Sequence, residues 1–227
     1  MSAHEGKPMT DWSKKMRYTR GWAITAITVF VLCSGCAEKG PILLNIGYQP
    51  AEEGKVIAAK NVVVGVSPFK DTRGSAVSLL GTRTIPSGMQ NDLVVQGTVS
   101  DVVTTALKTA LKEHGLKVED VPSWDLSAEG MKAEGADLLF GGEIRTMQLE
   151  SKATSLKTKL TTSVQIKIVV GDIAAKKIIR TLDVQSKIEQ EILYSRDKLQ
   201  SALSEALTSA LDQIFQDDVL SKRLQAR

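Results

Sequence analysis

The stretch Lys157-Thr158-Lys159-Leu160-Thr161-Thr162-Ser163-Val164-Gln165-Ile166-Lys167-Ile168-Val169-Val170 decides the fold. Leu160, Thr162, Val164, Ile166, Ile168 and Val170 fall on one side of a two-residue period, while Thr161, Ser163, Gln165 and Lys167 fall on the other. Side chains alternate faces along a strand, so this pattern predicts a β-strand with one apolar face and one polar face. Its β-branched residues fit a pleated, half-buried surface. Downstream, Gly171-Asp172 starts a turn, and Leu182, Val184 and Ile188 alternate with Asp183, Gln185 and Lys187 in a partner strand from Lys176 to about Glu189. Upstream, Ala136 to Glu150 reads as another strand, with a bulge expected at Gly141-Gly142. Three such consecutive strands predict an antiparallel meander with one solvated face.

Two segments carry the period of a helix instead. Val99, Val102, Val103, Ala106, Leu107, Ala110 and Leu111 form a continuous apolar stripe. Thr98 is placed to cap that helix with Asp101 three residues on, and Gly115 to stop it. Leu199, Ala202, Leu203, Ala206, Leu207, Ala210, Leu211, Ile214 and Phe215 repeat the pattern after a cap at Ser195. Further strands are expected at Ile42–Tyr48, closed by Pro50, at Asn61–Phe69 and at Leu116–Asp120. A weak helical turn is expected from Ser127 to Glu134. Asp71 to Gly97, with its scattered glycines, reads as a long loop with room for short strand pieces. The expected fold class is α+β: a mixed, largely antiparallel sheet with the two long amphipathic helices packed on one face.

Residues 1–35 do not read as part of that fold. Lys14, Lys15, Arg17 and Arg20 precede an uncharged apolar run from Trp22 to Leu32, and Ser34 and Gly35 follow. A basic region, a short apolar region and small residues define a secretory signal peptide. The apolar run is well short of the roughly twenty residues that cross a bilayer as a helix. Initiation at Met9 or Met16 would leave a more compact signal than Met1 does. Leu32-Cys33-Ser34-Gly35-Cys36 has the form of a lipobox, with cleavage after Gly35 and acylation of Cys36. Cys33 stands where leucine is usual. Several acyl chains on one cysteine give durable attachment, since each buried methylene contributes about 0.8 kcal/mol. The expected organisation is a signal peptide at 1–35, a lipidated tether at 36–41 and one periplasmic domain at 42–227. Ala37, rather than aspartate, follows the acceptor, which by the enterobacterial sorting rule favours the inner leaflet of the outer membrane.

Splitting the charge at Cys36 is informative. Residues 1–35 hold five basic and two acidic groups, so the chain's net +3 belongs to the signal and the remainder is neutral. A neutral domain lacks the clustered lysine and arginine on which nucleic-acid affinity depends. With Cys33 removed, the mature chain keeps one cysteine and one histidine, His114, which supports neither a disulfide nor a cysteine-based metal site. A lone histidine beside a helix-ending glycine is expected to cap carbonyls or sit in water, and Asp217-Asp218 to be a solvated pair. Gly141-Gly142 has no phosphate-loop lysine. Neither a catalytic constellation nor a cofactor is expected, and the chain reads as a non-enzyme.

One segment invites a functional reading. Asp71-Thr72-Arg73 and Gly81-Thr82-Arg83 place two arginines and an acid beside the end of the first buried strand. They form either an internal salt bridge that folds the loop back or a recognition surface, since arginine forks pair with carboxylate or phosphate. Taken with the lipobox, Tyr48-Gln49-Pro50 and the C-terminal amphipathic helix, the order of these motifs resembles the YajG-type lipoproteins of Gram-negative bacteria. The resemblance implies a small outer-membrane lipoprotein without known catalytic residues. The function expected is presentation of a periplasmic surface to an envelope protein partner, with Asp71, Arg73, Gly81 and Arg83 as the candidate loop. The alternative is an accessory or carrier lipoprotein of a transport or envelope-assembly system that holds lipid or glycan.

Overall fold

In the computed structural model, which describes residues 40–50 and 62–225, the deciding stretch is the central strand of a long meander. The elements in order are β1 (Ile42–Leu44), β2 (Val63–Val66), β3 (Lys70–Asp71), β4 (Leu79–Thr84), β5 (Gln90–Val95), α1 (Val99–Glu113), β6 (Lys117–Asp120), β7 (Leu138–Ala153), β8 (Thr158–Asp172), β9 (Lys177–Ile192), α2 (Arg196–Gln216) and α3 (Asp218–Gln225). All nine strands form one mixed sheet. β7, β8 and β9 pair antiparallel along almost their whole length. On its other edge β7 takes β2, β3 and β4 in turn, all parallel. The long hairpins are antiparallel, whereas the short strands joined through helix or loop are parallel.

The main core draws on both the sheet and the helices. Val103, Leu107 and Leu111 of α1 and Leu199, Leu203, Leu207 and Leu211 of α2 are fully buried with Phe140, Met147, Val164 and Ile166 of the sheet. Thr98 and Asp101 form the expected capping box, and Ser195 caps α2 through the Lys198 N–H.

Several expectations are corrected. Asp71 to Gly97 is not a long loop: most of it is the β4–β5 hairpin, turned by Ile85–Met89. Gly88 sits at the turn and Gly81 at a close approach to β7, which disguised two six-residue strands. The bulge in β7 falls at Arg145, between Ile144 and Thr146, rather than at Gly141-Gly142. Those glycines serve close packing: a Cβ on Gly142 would lie 2.1 Å from the Lys167 carbonyl oxygen. The second face of the meander is only partly solvated, because Trp124 and Met131 cover Leu139 and Val169 there. Ser127 to Glu134 forms no helix. The Asp125 carboxylate accepts from the Ser127 N–H and hydroxyl, and the Trp124 indole donates to the Ser127 carbonyl, closing a compact loop. A segment that short cannot repay helix nucleation on its own.

The first strand shows what alternation can and cannot reveal. Ile42, Leu44 and Ile46 are buried as the period requires, yet strand pairing stops at Leu44. Beyond it, the N–H groups of Asn45, Gly47 and Gln49 donate to Gln200, Ser204 and Thr208 of α2, and the Tyr48 hydroxyl donates to Asp212. These acceptors recur every four residues along the helix, so one helical stripe serves an extended segment in place of a neighbouring strand. Burial, followed by the bond to Asp212, raises the Tyr48 phenol above its ordinary range.

Candidate functional site

Asp71 ends β3, and Arg73 turns back over it. The guanidinium donates through Nε and Nη2 to the two carboxylate oxygens, at 2.9 and 2.8 Å. Nη1 donates to the carbonyls of Leu79 and Met147, at 2.6 and 3.2 Å. The Arg73 side chain is 5% exposed and that of Asp71 16%. Hydrogen bonds from Arg73 hold the Asp71 carboxyl below the usual carboxylate range, against the opposing effect of burial. This pair ties β3 to the start of β4 and the middle of β7, as the internal salt-bridge reading expects. A pair this enclosed is a structural clasp with few donors left for a partner.

Gly81 occupies a different kind of special position. It has φ +143, and a Cβ there would lie 2.2 Å from the Leu149 carbonyl oxygen. Only glycine lets β4 approach β7 at this point. Arg83 stands further along β4, between Asn91 of β5 and Ser151 of β7 in register. Its guanidinium lies over the Tyr194 ring, 3.6 Å from the centroid, a cation–π arrangement. Among the described residues, Arg83 Nε and Ser151 Oγ are buried without a hydrogen-bond partner. Arg73 and Arg83 therefore belong to opposite ends of β4 rather than to one patch.

Beside the Arg73 clasp, an open cleft of about 270 Å³ is lined by Ser75, Leu79, Gly81, Arg145, Met147 and Gln148, among others. The β7 bulge brings Arg145 to it, where the side chain pairs with Asp183 at 2.6 Å and remains substantially exposed. Nothing in the sequence pattern singled out Arg145, because the bulge that aims it carries no glycine or proline. Tyr194 was also missed; its only signal is an aromatic residue immediately before a helix cap.

The other weighed residues are structural. His114 accepts the C-cap position of α1, its Nδ1 lies 2.8 Å from the Ala110 carbonyl oxygen, and its ring stacks on Phe215 at 3.5 Å. Asp217 is not merely solvated: it accepts from the Val219 and Leu220 N–H groups at the start of α3 and pairs with Arg180. Among the described residues, no group of histidine, cysteine and carboxylate side chains could hold a metal ion, and no helix is long and apolar enough to cross a membrane. Gly35 and Cys36 lie outside the described residues.

No curated protein sequence matches the chain. Similar solved structures include protein XCC0632 from Xanthomonas campestris, at 10% identity over 82% of this chain and 97% of that one, with a TM-score of 0.48. The PelC dodecamer from Paraburkholderia phytofirmans is similar at 13% identity over 75% and 92%, with a TM-score of 0.40. Lipoprotein GNA1162 from Neisseria meningitidis is similar at 14% identity over 69% and 100%, with a TM-score of 0.36. The sequence model of the Lipoprotein_16 family, described as uncharacterized lipoprotein, matches residues 97–225. That span runs from the cap of α1 to the end of α3 and takes in the whole meander, more than half of the chain, so the protein belongs to this family of YajG-type lipoproteins.

Proposed function

We propose that this lipoprotein is a non-catalytic component of the outer membrane, held in the inner leaflet by acylated Cys36, whose periplasmic domain presents a surface to an envelope protein. The observation that carries the reading is the cleft beside the Asp71–Arg73 clasp. It combines a rigid floor of sheet backbone with an exposed arginine aimed by a bulge. Rigid support under a few polar groups favours specific recognition. The reading takes α1 and α2 as one layer on the same face of the sheet, supported by the stacking of His114 on Phe215. Leucine side chains of both helices fill the space between helices and sheet, which favours a surface over the carrier reading with lipid or glycan between the layers.

The test is photo-crosslinking in living cells from Ser75 and Gln148, both exposed at the cleft, with Lys132 as a distant control. A discrete adduct from the cleft positions alone is expected, and Arg145→Glu should abolish it while costing no more than about 1 kcal/mol of stability through the exposed pair with Asp183 that it breaks. Equal adducts from Lys132, or an adduct insensitive to Arg145→Glu, would refute the assignment of the cleft.

A further inference from the structure

The ends of five strands and the start of the described chain converge on one end of the sheet. Thr84 of β4 pairs with Gln90 of β5 and with Lys152 of β7. Ala153 of β7 pairs with Thr158 of β8, which pairs with Ile192 of β9. β1 enters beside β5 from the same end, and the Asn91 side chain donates to the Gly40 carbonyl at 2.9 Å. The connections that emerge there carry apolar tips: Met89, Leu156, Leu193 and Tyr194. Leu156 is 82% exposed and Leu193 68%, on turns where polar residues would serve as well. Arg83 on Tyr194 ties the β4 end to the link between β9 and α2.

Scattered exposed apolar side chains need no explanation, but a contiguous group of them marks an interaction site. Chain length identifies the occupant here. Cys36 precedes Gly40 by four peptide units, so its α-carbon lies within about 14 Å of Gly40 whatever path the chain takes. A bilayer holding the acyl chains of Cys36 is therefore within easy reach of this end of the domain. We propose that the rim formed by Met89, Leu156, Leu193 and Tyr194 docks on the phospholipid surface that holds the lipid anchor, fixing the orientation of the domain. The proposal rests on acylation of Cys36.

The chemistry of the rim suits a lipid surface. Leucine tips can enter the boundary between headgroups and acyl chains, about 5–10 Å deep for apolar faces that lie in the interface. A tyrosine beside them matches the enrichment of aromatic rings at headgroup level. Three lysines around the rim are paired: Lys157 with Glu191 at 3.1 Å, Lys152 with Glu150 at 3.5 Å and Lys159 with Glu189 at 3.9 Å. Docking is accordingly apolar in origin and insensitive to salt.

The test uses the full chain, processed in cells and reconstituted in vesicles of phosphatidylethanolamine and phosphatidylglycerol. Acylation leaves the mature protein without a free thiol, so Leu156→Cys, Leu193→Cys and Val77→Cys can each carry one environment-sensitive fluorophore. Val77 is exposed and lies before β4, at the strand's other end. Shallow nitroxide lipids should quench the labels at 156 and 193 several-fold more than the label at 77, at low and high salt alike. Co-flotation with vesicles reports the anchor separately. A chain that floats with all three labels equally unquenched overturns docking while leaving the anchor intact. A chain that does not float overturns both. A blue-shifted label at 156 without nitroxide quenching assigns the rim to a second copy or another protein, and also overturns the proposal.

Discussion

Replacing Arg73 with alanine removes the donor at the centre of the β3–β4–β7 junction. The change strips the Asp71 carboxylate of both forked bonds and leaves the Leu79 and Met147 carbonyls without their charged donor. Breaking a buried pair from one side costs about 3–5 kcal/mol, and hydrogen bonds to charged groups contribute about 1.5–3 kcal/mol each. Asp71 retains 16% exposure, so water recovers part of that loss and the lower end, about 3 kcal/mol, applies. For a domain of this size each kcal/mol moves the melting temperature by about 2–4 °C, which gives a fall of about 6–12 °C. Thermal unfolding of the full chain in mild detergent, followed by circular dichroism, measures it. Arg73→Lys keeps the charge but not the planar fork, and should recover less than half of the loss. A melting point for Arg73→Ala within the range of ordinary surface substitutions, about 0.5 kcal/mol, would refute the clasp and return Arg73 to the recognition surface.

The folded Asp71 carboxyl titrates below its ordinary value of 3.8, chiefly through its bonds from Arg73. A depressed pKa adds stability that is complete above the unfolded value and lost as pH falls through the folded one. Asp71→Asn should therefore lower stability at neutral pH and flatten the acid limb below about pH 4, read from urea midpoints across pH. Gly81→Ala forces a side chain into a positive-φ position against the Leu149 carbonyl. It should cost about 3 kcal/mol in urea unfolding and expose β4 amides to hydrogen exchange. The Tyr48 phenol is raised above its ordinary 10.0 by burial first and then by the bond to Asp212. The stability it contributes is fully present below pH 10.0 and lost as pH rises through the folded value. Wild type and Tyr48→Phe should give the same phenolate absorbance near pH 11 in the folded state, with the variant about 1 kcal/mol less stable.

The meander and both long helices were legible because each buries one face along many residues, and period survives local irregularity. Thr98 with Asp101, and Ser195, marked the helix starts for the same local reason. Three things escaped. The β4–β5 hairpin hid behind Gly81, Pro86 and Gly88, whose purposes are a close approach and a tight turn rather than a loop. The acceptors for the strand after Leu44 lie more than 150 residues away on α2, and alternation specifies which face is buried, not what the backbone bonds to. The bulge at Arg145 depends on how β7 meets β8, so no residue within β7 announces it.

The two arginine motifs carry the same lesson into function. Asp71-x-Arg73 and Gly81-x-Arg83 are similar as strings, yet Arg73 binds the start of β4 and Arg83 stands near its end. β4 runs from the cleft to the rim, and its six residues cover about 20 Å at the rise of a strand. Arg73 is consumed as a clasp at the cleft end, while Arg83 steadies Tyr194 at the rim end. One strand thus connects the proposed partner surface to the proposed lipid surface. With the rim on the bilayer, the cleft residues Leu79 to Gly81 stand further along β4, on the side away from the rim. The docking and partner readings then constrain each other: crosslinks from Ser75 and Gln148 should capture protein and not phospholipid, whereas crosslinks from Leu156 should capture phospholipid. If both positions captured the same protein partner, the sheet would have no membrane end, and Cys36 would serve as a leash rather than as part of a fixed orientation.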